Sequence, residues 1–266
     1  DDMELFGGHR ENTFHLFIDQ KNQFGTNTER IYHDTIVHGS INLAKSVPEH
    51  VLIIGGGDGL MVRELLKYPE IKSIKLIELD PAMIDLAKNY KPLRDINGRS
   101  LEDKRVTVVT ADGFSYLQRS RESFDAIFID LPHPLSIDLS RLYSVEFYSF
   151  VKARLKLSGF MVYDYPFDAL LKGADPNHQD ELVTKTILAA TTKAGFQSYK
   201  AFGSWESFLI ATPIQRTFEF DYEAIDKHVA DISVFNLMTL RLPDASQTEP
   251  NSIFRPNIIK VRIDGG

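Results

Sequence analysis

Apolar residues in this chain fall into two kinds of segment. Val51-Leu52-Ile53-Ile54, Val106-Thr107-Val108-Val109 and Ala126-Ile127-Phe128-Ile129 are short apolar runs, the pattern of strands buried on both faces. Ile74 to Glu78 and Gly159 to Tyr163 predict two more strands, and later ones are expected near Gln197–Lys200 and Ser207–Ala211. Between them the apolar positions recur every three or four residues, which predicts helices. These cover about Gly59–Lys67, Ala82–Tyr90 (opened by Pro81), Phe114–Gln118 and Leu182–Ala194. A long helix is marked by Tyr143, Phe147, Phe150, Val151 and Leu155. Upstream, Phe14, Leu16 and Ile18 alternate as in a half-buried strand, a turn at Asp19–Asn22 follows, and Ile31–Ala44 reads as helical.

Strand and helix thus alternate at least five times, which argues for a mostly parallel sheet with helices on both faces. The predicted fold class is α/β, Rossmann-like, with a small N-terminal β element. Residues 1–45 form that element and a linking helix, 46–211 the main domain, and 212–266, where the rhythm breaks, a C-terminal appendage. Composition narrows the function. The 266 residues contain no cysteine, so a disulfide scaffold, a thiolate nucleophile and Cys-rich zinc sites are excluded. A net charge of -7 with dispersed Lys and Arg argues against a nucleic-acid partner and leaves room for an acidic cleft that takes a cation. No apolar run is long enough to span a membrane within this chain. The histidines show no metal-ligand spacing, and no metal is expected.

In sheets of this kind ligands bind beyond the C-terminal ends of the strands. Four such ends carry an acid. Gly55-Gly56-Gly57-Asp58-Gly59 lies between the first apolar strand and a helix, where glycines let a ligand approach the helix N-terminus. The dinucleotide fingerprint requires a glycine at position 60, which is Leu60 here. The spacing fits instead the turn of domains that bind S-adenosylmethionine-type nucleosides, so the sheet is expected to be of the methyltransferase type. Glu78, at the end of the next strand, can accept both ribose hydroxyls. Asp112, in Ala111-Asp112-Gly113, can take an adenine amino group or cap a helix, with Gly113 leaving space for the ring. Asp130, before the rigid Leu131-Pro132-His133-Pro134 loop, is the candidate base or cation clamp.

These residues together resemble the polyamine aminopropyltransferases, the spermidine and spermine synthases. The resemblance runs over roughly residues 14 to 165. It rests on Gln23-Phe24, Tyr32-His33-Asp34, Val51 to Asp80 with its Gly-Gly-Gly-Asp-Gly and Ile-Glu-Leu-Asp, and Ala111-Asp112-Gly113-Phe114. Asp130-Leu131-Pro132-His133-Pro134, Arg141-Leu142-Tyr143-Ser144 and Glu146-Phe147-Tyr148 are most similar to the branch that often carries an N-terminal membrane region. The resemblance implies transfer of an aminopropyl group from decarboxylated S-adenosylmethionine, a co-substrate rather than a tightly bound cofactor, to a putrescine-like amine, releasing methylthioadenosine. It implies that Gln23, Gly55, Gly57, Asp58, Glu78, Asp112 and Gly113 bind the nucleoside donor, and that His33, with Asp58, faces the amine. Asp130 and Tyr32 are the implied catalytic pair. It further implies a homodimer and a cytoplasmic location, or the soluble part of a membrane-anchored protein.

The sequence departs from that family at three positions. His133 stands where a second acid usually grips the amine. Leu60 replaces a glycine and is expected to narrow the site. Asp164, five residues after Gly159, stands where Gln is usual, and its carboxylate is expected to bind the distal cation in place of the missing acid. Trp205 is a candidate cation–π cap. Two rival readings share the scaffold: a methyltransferase using intact S-adenosylmethionine, and a non-catalytic nucleoside-binding domain. Asp58 argues against the first, because the intact donor would bring its own carboxylate beside it; Asp130 and Tyr32 argue against the second.

Overall fold

In a computed structural model the described residues are 3–8, 13–18, 21–26, 28–134, 136–165, 179–203, 206–225 and 238–264. Three N-terminal strands, β1 (Met3–Gly8), β2 (Thr13–Ile18) and β3 (Lys21–Gly25), form an antiparallel sheet in the order β1-β2-β3. The sequence pattern anticipated β2 but not β1; of the expected turn at Asp19–Asn22, Lys21 and Asn22 belong to β3, and 19–20 lie outside the described residues.

Among the described residues the main sheet has eight strands. They are β4 (His50–Gly55), β5 (Ser73–Glu78), β6 (Val106–Thr110), β7 (Phe124–Asp130), β8 (Leu155–Asp164), β9 (Ser198–Gly203), β10 (Ser207–Thr212) and β11 (Thr239–Leu240). Their order is β11-β9-β10-β8-β7-β4-β5-β6. Strands β4 to β8 pair in parallel, whereas β10 is antiparallel to both β8 and β9. Even within an unbroken apolar run the period of two holds. Val51 and Ile53 join one core cluster, with Phe128, Val162 and the helical segment after residue 29. Leu52 and Ile54 join the other, with Ile127, Met161, Phe147 and Ile187. The sheet is therefore covered on both faces, which is why its strands lack polar alternation.

The segment after Thr28 runs as α-helix (Glu29–Asp34), widens to a π-helix (Thr35–Gly39) and returns to α-helix (Ser40–Ala44). Such widening often accompanies a functional site; here it directly follows Tyr32, His33 and Asp34 and contains His38. The predicted long helix begins later than its apolar marks. Ser144 caps it, accepting from the Phe147 amide at 3.2 Å, and it spans Val145–Arg154. Tyr143 instead ends a 3-10 turn (Arg141–Tyr143), and Leu155 opens β8, which starts four residues before Gly159.

The last fifty residues are packed where they are described. Asn251 is fully buried. Its Nδ2 donates to the carbonyls of Ser140 and Tyr143, at 2.7 and 3.3 Å, and its own carbonyl accepts from Val145 N at 2.9 Å. Helix Asn257–Asp264 lies against helix Gln179–Lys193. This tail braces the loop that follows β7. Among the described residues no helix is long and apolar enough to cross a membrane.

Candidate active site

The chain runs from β4 outward to β5 and β6, then crosses back to β7, so the crevice of the sheet opens between β4 and β7. Their last residues, Gly55 and Asp130, are register partners. The glycines here are sterically required. Gly55 has φ +85°, and a Cβ on it would lie 1.8 Å from the Asp130 carbonyl oxygen. Gly56 has φ +68°, and its Cβ would lie 3.1 Å from Asp130 Oδ2. The strand ends can approach this closely only without side chains.

Four predicted residues converge on this crevice. Tyr32 donates its hydroxyl to Asp130 Oδ1 at 2.9 Å. Burial pushes the Asp130 carboxyl up to about 6, the charge of Asp58 adds to that, and His33 opposes it. Asp58 is likewise raised by burial and moderated by His33; its Oδ1 accepts from Leu60 N at 2.8 Å. Burial pushes the His33 imidazole down, but its hydrogen bond to Glu29 and the charges of Asp58 and Asp130 carry it to about 9. Burial, with Asp130 and Asp164, holds the Tyr32 hydroxyl well above its ordinary range, so Tyr32 is a phenol donor. Burial does the same at Tyr143, where the Asp164 and Asp130 charges add to it. Asp164, the last residue of β8, thus acts electrostatically on the same two tyrosines as Asp130. Among the described residues no Lys or Arg pairs with Asp58 or Asp130.

On the nucleoside side, Glu78 Oε2 accepts from Gly57 N at 3.1 Å and Oε1 from Asp80 N at 2.9 Å. Burial raises its carboxyl and these amides lower it. A Cβ at position 57 would lie 2.7 Å from Glu78 Oε2, so this glycine makes room for the carboxylate. Leu79, beside it, is 66% exposed, an apolar face next to the predicted ribose site. Asp112 caps helix Gly113–Arg119, accepting from Ser115 N at 2.9 Å. Arg141 grips it with two parallel bonds, Nη1 to Oδ1 at 3.2 Å and Nη2 to Oδ2 at 2.6 Å. Against the effect of burial, Arg141 and Ser115 hold this carboxyl down at about 2.

Several expectations change. A Cβ on Gly113 would lie 2.5 Å from Ile54 Cγ2, so its glycine serves helix-to-strand packing, and its Cβ position faces the core rather than a ring site. Leu60 does not narrow the crevice; it is fully buried in the core under β4 and β5. His133 is solvent-exposed on its loop. Gln23 lies in β3, but its side chain, like Trp205, is outside the described residues.

Other site-forming residues were not singled out by the sequence. Tyr143 shares its hydroxyl between the carbonyls of Leu131 at 3.2 Å and Pro132 at 2.9 Å, which anchors the loop after Asp130. Behind His33, the Glu29 side chain accepts from Nδ1 at 3.1 Å and from Arg63 at 2.9 and 3.0 Å. Arg63 Nε reaches Glu64 Oε1 at 2.6 Å, and Glu64 Oε2 meets His38 Nε2 at 2.9 Å. Glu29–His33 and Asp34–His38 are both four apart on helical turns, a spacing that could have flagged them. Asp34, His38 and Glu64 each place a ligand atom within 4.8 Å of the others, although His38 stands at no metal-ligand spacing along the chain. Arg63 and Lys67 already pair with Glu64 there, so the cluster carries its own cations.

The model of the spermine/spermidine synthase domain matches residues 29–167. Polyamine aminopropyltransferase 1 of Streptomyces coelicolor is 37% identical over 203 residues, 74% of this chain and 36% of that protein. Polyamine aminopropyltransferase 2 of Aquifex aeolicus is 36% identical over 209 residues, 76% of this chain and 39% of that one. The chain thus spans well under half the length of these curated relatives. In fold it is similar to a spermidine synthase solved with the transition-state analogue AdoDATO, with a TM-score of 0.71 at 22% identity over 97% of this chain and 85% of that one. It is also similar in fold to human methyltransferase-like protein 13, with a TM-score of 0.53 at 20% identity over 74% of this chain and 89% of that one. The family match covers the π-widened helix, the glycine turn, Glu78, Asp112 and the Asp130 loop, and the chain belongs to the spermine/spermidine synthase family.

Proposed function

We propose that the chain transfers an aminopropyl group from decarboxylated S-adenosylmethionine to a small amine and releases methylthioadenosine. The observation that carries this reading is the half-buried pair Asp58 and Asp130 at the sheet's crevice, with which no Lys or Arg among the described residues forms an ion pair. Two neighbouring carboxylates, partly desolvated and each raised, favour a cationic ligand.

The attacking amine enters protonated, because an alkylamine has a pKa near about 10.4, and without a lone pair it cannot react. Asp130 accepts a hydrogen bond from that ammonium and takes its proton. Tyr32, a firm phenol donor at 2.9 Å, fixes the carboxylate's orientation and does not itself act as base. The freed nitrogen attacks the aminopropyl carbon bound to the sulfonium; the C–N bond forms, the C–S bond breaks, and its electron pair stays on sulfur. The leaving group is a neutral thioether, so no general acid is needed. Holding nitrogen and carbon in line at about 3 to 3.5 Å supplies most of the rate. Asp58 receives the donor's ammonium and repels the carboxylate of the intact nucleoside. Glu78 takes the ribose and Asp112 the adenine amino group, while Asp164, beside the tyrosine pair, receives the amine's distal charge.

The test is direct. The protein is incubated with decarboxylated or intact S-adenosylmethionine and with putrescine, cadaverine or spermidine, and methylthioadenosine release is followed by chromatography. Release only with the decarboxylated donor and an amine is expected. Methyl transfer from the intact donor would overturn the reading.

A further inference from the structure

Arg141 has no role in the reaction described above, yet it is held as firmly as a site residue. Its Nε donates to the Asp138 carbonyl at 3.1 Å. Its guanidinium carbon stands 5.5 Å from the centre of the Phe114 ring, where the charge is attracted by the ring face. Its two terminal nitrogens engage the two oxygens of Asp112, a bidentate geometry that fixes both the plane and the charge of a carboxylate. Ser140, just before it, and Tyr143, just after, accept from the buried Asn251, so the tail keeps this turn in place. A cavity of about 290 Å³ opens beside the guanidinium, lined in part by Phe114, Ile137 and Ile253. Ile137 is 66% exposed.

The remaining hydrogen-bonding capacity of Asp112 is limited and of one kind. Oδ1 receives the Ser115 amide and Arg141 Nη1, while Oδ2 receives Arg141 Nη2 and keeps a lone pair for one more donor. A carboxylate in this state accepts only. An exocyclic amino group satisfies it, whereas a carbonyl oxygen at the same place brings two acceptors together and leaves both unpaired.

We propose that Arg141 is the residue that sets base specificity: it locks Asp112 as a fixed anionic acceptor, so that the site takes 6-aminopurine nucleosides and rejects 6-oxopurine ones. This rests on the placement of the adenine at Asp112 in the proposed function. Asp112 touches the base; Arg141 acts through it and is a positioning residue. Without Arg141, burial raises the carboxyl and only Ser115 still lowers it. On mild acidification it then becomes a hydroxyl donor that can serve a 6-oxo group.

The experiment measures binding of methylthioadenosine and methylthioinosine by calorimetry at pH 8 and pH 5, using the wild type, Arg141→Ala and Arg141→Lys. The wild type is expected to prefer methylthioadenosine by roughly a hundredfold at both pH values, the discrimination of a hydrogen bond to a charged group. In Arg141→Ala the preference is expected to fall by about tenfold or more at pH 5 and much less at pH 8. Arg141→Lys, which keeps the charge but not the fork, is expected to fall between them. If Arg141→Ala weakens both nucleosides by one factor at both pH values, Arg141 is merely structural and the proposal is overturned, with aminopropyl transfer left standing. If the wild type binds neither nucleoside, both readings fall.

Discussion

Two acidic regions lie back to back along the helical segment Glu29–Ala44, and they differ in who supplies the positive charge. In the rear cluster Glu29 and Glu64 are buried, at 3% and 1% exposure, but Arg63 bonds to both and Lys67 to Glu64. Their carboxyls are held below the ordinary range in spite of burial, chiefly by His33 and Arg63 at Glu29 and by His38, Asp34 and Lys67 at Glu64. In the front crevice Asp58 and Asp130 are raised, because burial outweighs His33 and the hydrogen bonds at both and the more distant Arg63 charge at Asp58. A carboxylate shifted down has found its cation within the fold. Asp58 and Asp130, shifted up with no ion-paired Lys or Arg, favour a cation from outside, which sets this pair apart from Glu29 and Glu64.

The difference is broken most severely at Asp130. Asp130→Asn keeps the shape and the bond to Tyr32 but cannot take a proton, so kcat/KM is expected to fall by about 10²–10⁴. Thermal stability at pH 8 should not drop, because an acid raised above its unfolded value costs stability as pH rises through its folded value near 6. Melting curves and amine turnover check both halves. Activity within tenfold of wild type would remove Asp130 from the chemistry.

The rear cluster predicts the opposite pairing of effects. Arg63→Ala strands Glu29 and Glu64 without their shared cation, and unfolding in urea is expected to show a loss of about 3–5 kcal/mol. A loss under about 1 kcal/mol would mean that water or Lys67 replaces the guanidinium, and that the cluster is less dry than its burial implies.

How much of this could be read from the chain follows the same division. The crevice acids were legible because each sits at the end of an apolar run, where topology alone brings strand ends together; Glu78, Asp112 and Asp130 needed only the parallel order. Arg63 and Glu29 were not, since they meet across 34 positions through the packing of two helices, and no local pattern encodes that approach. Arg141 stood in a quoted motif, but its hold on Asp112 depends on a 3-10 turn anchored by Asn251, 110 positions further on. The glycines were legible as a turn. Their reasons were only partly so: Gly57 yields to Glu78 as a ligand site requires, whereas Gly113 yields to Ile54 in the core.

A pH profile sharpens the front crevice. The free protein's kcat/KM is expected to rise with pH through about 6 as Asp130 loses its proton. The Asp58 charge is the second cause of that raised value, so Asp58→Asn should move the acid limb to lower pH while donor affinity falls. An unmoved limb would show that burial alone sets it. Asp164 tests the outer end of the same crevice: Asp164→Asn is expected to raise the amine KM about tenfold, the worth of one partly solvated charge contact, and to leave kcat within about threefold. An unchanged KM would deny Asp164 the distal amine.

The smallest effect is expected where the rear cluster departs from its own rule. Asp34 shares its proton with Glu64, and burial, then Glu64, raises its carboxyl to about 7; its Oδ1 has no hydrogen-bond partner. A group held protonated in the fold but ionised when unfolded stabilises less as pH climbs from about 3.8 through 7. Asp34→Asn keeps a donor for Glu64 and carries no proton to lose. Its melting temperature should therefore exceed that of the wild type by a few degrees at pH 8 and match it near pH 4. A variant that melts lower at pH 8 would show that the ionised Asp34 is welcome beside His38 and Lys67, and that the cluster holds one cation more than its carboxylates need.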